Sequence, residues 1–189
     1  MQEDQEPIKL GRKIAQVRVG KVTVNLVTFP IALVLILAFM FFTDILFHTR
    51  PYASRDLIYI VILLIVFGLV HEGLHALALV IWGRVGPKDM KFGFSWRGLC
   101  PYYHCKLPIT VRVYRITALF PLIILGGLCI MLLLVFPSIW FAAVTGGVIA
   151  ASVGDIWVFC KLRGFDRECL VKDHPKEIGC DVFERASEV

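Results

Sequence analysis

Charge is scarce in this chain and missing altogether from long parts of it. Asp, Glu, Lys and Arg make up 19 % of the 189 residues, below the roughly 25 % of an ordinary soluble domain. None occurs over residues 22–43, over residues 57–70, or over the 39 positions 116–154. A hydrophobic share of 58 % and a mean hydropathy of +0.75 exclude a water-soluble domain, whose apolar share is about 45 to 50 %. Repeats, low-complexity tracts and Ser/Gly linkers are also lacking, which leaves one compact bundle as the expected organisation. Asparagine is nearly absent, Asn25 being the single instance. The six cysteines (Cys100, Cys105, Cys129, Cys160, Cys169 and Cys180) include no Cys-x-x-Cys pair, which argues against a separate zinc knuckle.

The uncharged runs divide into four candidate spans. Residues 22–43 are about 33 Å long as a helix, enough to cross a bilayer. This run is longer than a signal-peptide core and is followed by no small-x-small site, so it is expected to remain as an anchor. Residues 57–82 form the second span, closed by Gly83 and the Gly86-Pro87 breaker. The uncharged stretch 116–154 would run to roughly 58 Å, too long for one crossing. It is expected to fold back at Phe136-Pro137-Ser138, giving spans 116–136 and 139–160.

Lys plus Arg number five in residues 1–21, two in the first loop, seven between spans two and three, none at Pro137 and six in residues 161–189. That alternation predicts a multi-pass cell-membrane protein with both termini and the long central loop in the cytoplasm. Residues 1–21 and 161–189 are expected to be cytoplasmic tails flanking a transmembrane domain over 22–160. The net charge of +5 sits beside the hydrophobic runs, where it serves topology and headgroup contacts with the bilayer; no nucleic acid is expected as a partner. With Cys129 inside a span and the other cysteines on the reducing side, no disulfide framework is expected.

Against this background the stretch His71-Glu72-Gly73-Leu74-His75 stands out, placing three ionisable groups in five residues of an apolar helix. Intramembrane ionisable groups are costly and mark function by default. On a helix His71 and His75 lie one turn apart on one face, the spacing two imidazoles need to hold one zinc ion. Glu72, about 100° around the helix from His71, can serve as general base for a water at the open coordination position. Both histidines fall about 10 to 17 Å below the cytoplasmic end of their span.

Two imidazoles do not complete a catalytic zinc site, which usually has three protein ligands. Asp155, the only ionisable residue of span four, is the first choice for the third, at about 9 Å from the cytoplasmic end. His104 and His174, in cytoplasmic segments, are its rivals. His104 could alternatively donate to an oxyanion, as could the amide of Asn25, which could equally bond to a neighbouring helix. Between spans two and three, Phe92, Phe94 and Trp96 alternate before Arg97-Gly98 and Cys100-Pro101-Tyr102-Tyr103-His104-Cys105, a pattern that predicts a short β-hairpin. The hairpin could rest on headgroups, or offer an edge and Phe94 to an extended substrate segment. The fold expected is therefore an all-α membrane protein of about four transmembrane helices with a short hairpin in the central loop.

The buried His71-Glu72-Gly73-Leu74-His75 helix and the membrane Asp155 resemble the site-2-protease class of intramembrane zinc metalloproteases. More closely, the runs Phe92-Gly93-Phe94, Pro101-Tyr102, His104-Cys105-Lys106, Gly154-Asp155, Asp173-His174-Pro175 and Gly179-Cys180 resemble a bacterial family of small membrane proteins described as putative zincin peptidases. The resemblance implies zinc as cofactor and peptidase activity on a membrane protein or peptide. It departs from site-2 proteases in span four, where Asp155 is preceded by Gly154 and followed by Ile156 with no Asn in the span. The competing expectation is a metal-binding membrane protein with a structural, sensing or transport role and no proteolysis.

Overall fold

The computed structural model describes residues 10–49, 56–95, 100–174 and 178–185. Within them, four helical spans are long and apolar enough to cross a bilayer: Thr23–Phe47, Leu57–Gly83, Val111–Val135 and Ile139–Leu162. The first two are the single helices α1 (Lys21–Phe47) and α2 (Asp56–Gly83). The third is α3 (Val111–Pro121), a π-helical turn at Leu122–Gly126, and α4 (Gly127–Val135). The fourth is α5 (Ile139–Ala151) and α6 (Val153–Leu162), broken at Ser152, whose ψ is 1°. Side chains such as Leu26, Phe29, Leu57 and Ile58 stand exposed along α1 and α2, an arrangement suited to lipid and unstable in water. These features suggest a multi-pass membrane protein.

Helix packing follows from small residues. Gly146 of α5 sits against the backbone of α1, and a Cβ there would lie 2.7 Å from the Ile36 Cα, so close approach of the two helices requires glycine. α2 is closed by a left-handed residue: Arg84 takes φ 51°, the Val85 N–H folds back to bond the Leu79 carbonyl at 3.2 Å, and Val85 is buried in one cluster with Leu79. The chain is thereby turned at the end of α2 toward the hairpin.

The protein is mostly helical with two small antiparallel sheets: the expected hairpin and a four-stranded sheet that the sequence reading did not anticipate. The hairpin is present as β2 (Met90–Ser95) and β3 (Cys100–Cys105), with Phe92 opposite Tyr103. The second sheet has the order β1-β6-β5-β4, from β1 (Leu10–Val19), β4 (Ile109–Thr110), β5 (Leu170–Asp173) and β6 (Ile178–Arg185). Residues 1–21 and 161–189, expected as tails, thus contribute three of its four strands. Their apolar residues are few but in register: Val17 pairs Cys180 and Ala15 pairs Val182, on a face that buries Val17, Val171, Cys180 and Val182 against Val111, Val158 and Leu162. Gly179, with φ +123°, approaches the Val17 carbonyl so closely that no Cβ fits. Because β1 leads into α1, β4 into α3, and α6 into β5, this sheet lies at one common end of the bundle, where the hairpin also follows α2.

Candidate metal centre

The site is assembled from α2 and α6 under a roof supplied by β3. His71 and His75 project from one face of α2 with ring centroids 4.8 Å apart. Asp155 lies in the first turn of α6, where the break at Ser152 starts a new helix whose positive N-terminal end favours a carboxylate. His71 Nε2 lies 3.0 Å from Asp155 Oδ2 and 3.1 Å from His75 Nε2, and His75 Nε2 lies 3.4 Å from the same carboxylate oxygen. Both histidines are buried, while the Asp155 side chain keeps about a quarter of its surface open.

The three donors fit a metal ion. The Nδ1–H of His75 donates to the Thr117 carbonyl at 2.8 Å, which leaves the Nε2 lone pair of the neutral ring directed at His71 and Asp155. Ligands placed 2.0 to 2.1 Å from a tetrahedral zinc ion lie about 3.3 Å from one another, and the observed separations of 3.0, 3.1 and 3.4 Å bracket that value. Three lone-pair atoms gathered this closely repel one another unless a cation or protons lie between them. Among the described residues, His71, His75 and Asp155 form the group of His, Cys, Asp and Glu side chains that could hold a metal.

The Thr117 carbonyl is available for a reason written in the sequence. In a regular helix it would accept the N–H of the residue four positions on, and that residue is Pro121, which has none. Pro121 is tolerated inside the span because His75 occupies the carbonyl it leaves unpaired, and the π-helical turn follows directly.

Glu72, beside His71, accepts a hydrogen bond from the Tyr103 backbone N–H. The Tyr103 ring stacks on His75 with centroids 4.9 Å apart and planes 24° apart. Two residues along β3, the Cys105 N–H donates to Asp173 Oδ2 at 2.8 Å. The edge of β3 nearest the centre is thus capped by two carboxylates, so the expectation that an extended substrate pairs with a hairpin edge beside the metal does not extend to these two N–H groups.

The other sequence candidates lie around this group. His104 is outside the metal group and faces Asp173, Nδ1 to Oδ2 at 3.9 Å. His174 is likewise outside it, its backbone N–H bonded to the Gly179 carbonyl. Phe94 is exposed on β2, where it pairs with Pro101, and Asn25 is exposed near the start of α1. Trp96 lies outside the described residues. Burial pushes the thiol of Cys105 up to about 11 and that of Cys180 up to about 12, with the Asp173 charge adding to both; neither offers a ready thiolate to a metal. Burial also raises Asp173 above the usual carboxylate range, against the pull of the Cys105 N–H and the Tyr114 hydroxyl. A cavity of about 290 Å³ opens beside His71, lined by Ala32, Ile36, Leu64, Phe67, Gly68 and neighbouring residues of α5.

Sequence reasoning gave no role to Tyr103, Thr117, Pro121 or Asp173. For Thr117 the signal was readable: a proline inside an apolar span marks the carbonyl four residues earlier as unpaired. The stacking of Tyr103 on His75 depends on how the hairpin docks, which no local pattern encodes.

A bundle of long apolar helices enclosing two imidazoles and a carboxylate that could hold a metal ion defines the class of protein. Comparison with known families narrows that class: the family model described as "Putative zincin peptidase" matches residues 63–170, more than half of the chain, and the chain belongs to that family. The match includes His71, Glu72, His75 and Asp155, together with the hairpin and α3. Membership suggests a metallopeptidase and implies zinc. No curated protein and no solved structure matches the chain significantly.

Proposed function

We propose that this protein is a membrane-embedded zinc metallopeptidase that hydrolyses a peptide bond in or near the bilayer, in the manner of the site-2-protease class. The observation that carries the reading is the convergence of His71, His75 and Asp155 beside Glu72 within apolar spans. Zinc bound by those three side chains would supply a Lewis acid that polarises the scissile carbonyl and acidifies a water. Glu72 takes a proton from the attacking water and delivers it to the departing amine nitrogen. His75 is held in one tautomer by the Thr117 carbonyl, and the Tyr103 ring shields that side of the centre from water. The substrate is a membrane protein or peptide, and the apolar cavity beside His71 suits an apolar side chain next to the scissile bond. The protein sits in the cell membrane with both termini and the site's end of the bundle in the cytoplasm, as the basic-residue counts direct.

The second reading is a metal centre without hydrolysis. What favours it is the roof: Tyr103 covers His75 and its N–H occupies Glu72. The parallel experiment measures zinc content and cleavage of candidate membrane substrates for wild type and Glu72→Gln. Retained zinc with turnover reduced by about 10²- to 10⁴-fold supports the peptidase. Retained zinc with full turnover removes Glu72 as the base and leaves the metal-binding account.

A further inference from the structure

We infer that Asp173 is a positioning residue for the metal centre: it holds β3 so that Tyr103 lies against His75 and Glu72, coupling the four-stranded sheet to the site. This inference rests on the reading of His71, His75 and Asp155 as metal ligands. Asp173 ends β5 and its side chain is 10 % exposed. It gathers donors from two other elements, the Cys105 N–H of β3 at 2.8 Å and the Tyr114 hydroxyl of α3, with His104 of β3 at 3.9 Å. Burying a carboxylate is costly unless donors surround it, and here the donors are the parts that fix the roof.

The mechanical link is short. Cys105 and Tyr103 are alternate residues of one strand, about 6.8 Å apart, and their N–H groups leave the hairpin on the same side, toward Asp173 and Glu72. A two-stranded hairpin is marginal by itself, and β2 and β3 have no third strand among the described residues. Apolar packing of Met90 and Cys105 on Ala76, Leu79 and Ile109 holds the hairpin down on α2 but does not fix its position along the helix. The bonds of the Tyr103 N–H to Glu72 and of the Cys105 N–H to Asp173 supply that direction, the second tying it to the four-stranded sheet, and the stacking of Tyr103 on His75 transmits it to a metal ligand.

The test uses the full chain in detergent micelles loaded with Co²⁺, whose visible absorption reports ligand geometry without any turnover. Asp173→Ala is compared with wild type, with Asp173→Asn, and with Asp181→Ala, which perturbs the same sheet at its contacts with Lys13 and Arg18. The expected result is an altered Co²⁺ spectrum and an affinity about 10- to 100-fold weaker in Asp173→Ala. Recovery toward wild type is expected in Asp173→Asn, which keeps an acceptor for the Cys105 N–H, and no change in Asp181→Ala. Unchanged spectrum and affinity in Asp173→Ala overturn the inference, as does an equal change in Asp181→Ala. If Asp173→Ala does not fold, Tyr114→Phe removes one donor only; a smaller shift in the same direction supports the coupling, and an unshifted spectrum overturns it. Wild type that binds no Co²⁺ would overturn the metal-centre reading itself, a different result from Co²⁺ binding that is indifferent to Asp173.

Discussion

Filling the cavity beside His71 from Gly68 would separate recognition from chemistry. Gly68 lies one turn before Glu72 on α2 and lines the cavity of about 290 Å³. A Cβ built on it meets nothing within 4 Å, so the first atom of a Gly68→Leu side chain meets no neighbour and the rest is directed at the cavity that Gly68 lines. Glycine inside a helix costs about 0.8 to 1.0 kcal/mol relative to alanine and leucine ranks close to alanine, so the variant should be at least as stable as wild type. It also leaves His71, His75 and Asp155 untouched, and zinc content should be unchanged. In an apolar pocket one methylene is worth about 1 to 3 kcal/mol, or about 10- to 200-fold in kcat/KM. Substrates with Leu or Phe beside the scissile bond should therefore lose at least about tenfold, while those with Gly or Ala there should lose little. The assay is kcat/KM for a substrate series differing at that single position, with wild type in parallel. An equal loss for large and small side chains, at unchanged zinc content, would refute the assignment of the cavity to substrate, as would no loss at all.

Pro121→Ala restores an N–H that competes for the Thr117 carbonyl, so α3 should gain thermal stability while metal affinity falls about tenfold; metal competition alongside a melting curve checks both signs. The β1–β6 pairing should loosen in acid. Burial raises Asp181, but the hydrogen bond and charge of Lys13 and then Arg18 outweigh it and hold the carboxyl below its ordinary value. A carboxyl depressed by folding contributes stability that is full above its unfolded value, about 3.9, and is lost as pH falls through the lower folded value. Amide exchange of Lys13 to Arg18 should accelerate over that window in wild type but not in Asp181→Asn. Reporter fusions at Tyr52 and Ser138 should read as external and fusions after Gly98 or Glu184 as cytoplasmic; a cytoplasmic Tyr52 would reverse the orientation of the site.

The helices were legible because lipid leaves a simple record: long uncharged runs, ended by charge or by Pro and Gly. The metal group was legible in part because the i, i+4 spacing of His71 and His75 is a property of one helix. Asp155 could be singled out only as the lone ionisable residue of its span; that it meets both imidazoles depends on the crossing of α2 and α6. The four-stranded sheet escaped notice because its inward residues are few and small, such as Ala15, Val17 and Cys180, set among Lys, Arg, Asp and Glu. Its strands are recognisable only in pairs, and their partners lie far away along the chain.

That distance governs the order in which the protein can be put together. β1 is synthesised before any span and its neighbour β6 after all of them, the pairing of Val17 with Cys180 closing a loop that holds the whole bundle. Among the described strands β1 bonds β6 alone, so insertion of the four spans precedes closure of the sheet. β5 arrives at the same late stage, and with it Asp173 and its bond to Cys105. A chain halted before Leu170 would have His71, Glu72, His75 and Asp155 inserted but their roof unanchored. Anchoring of the roof over His75 and Glu72 thereby waits until all four spans and β5 have been made.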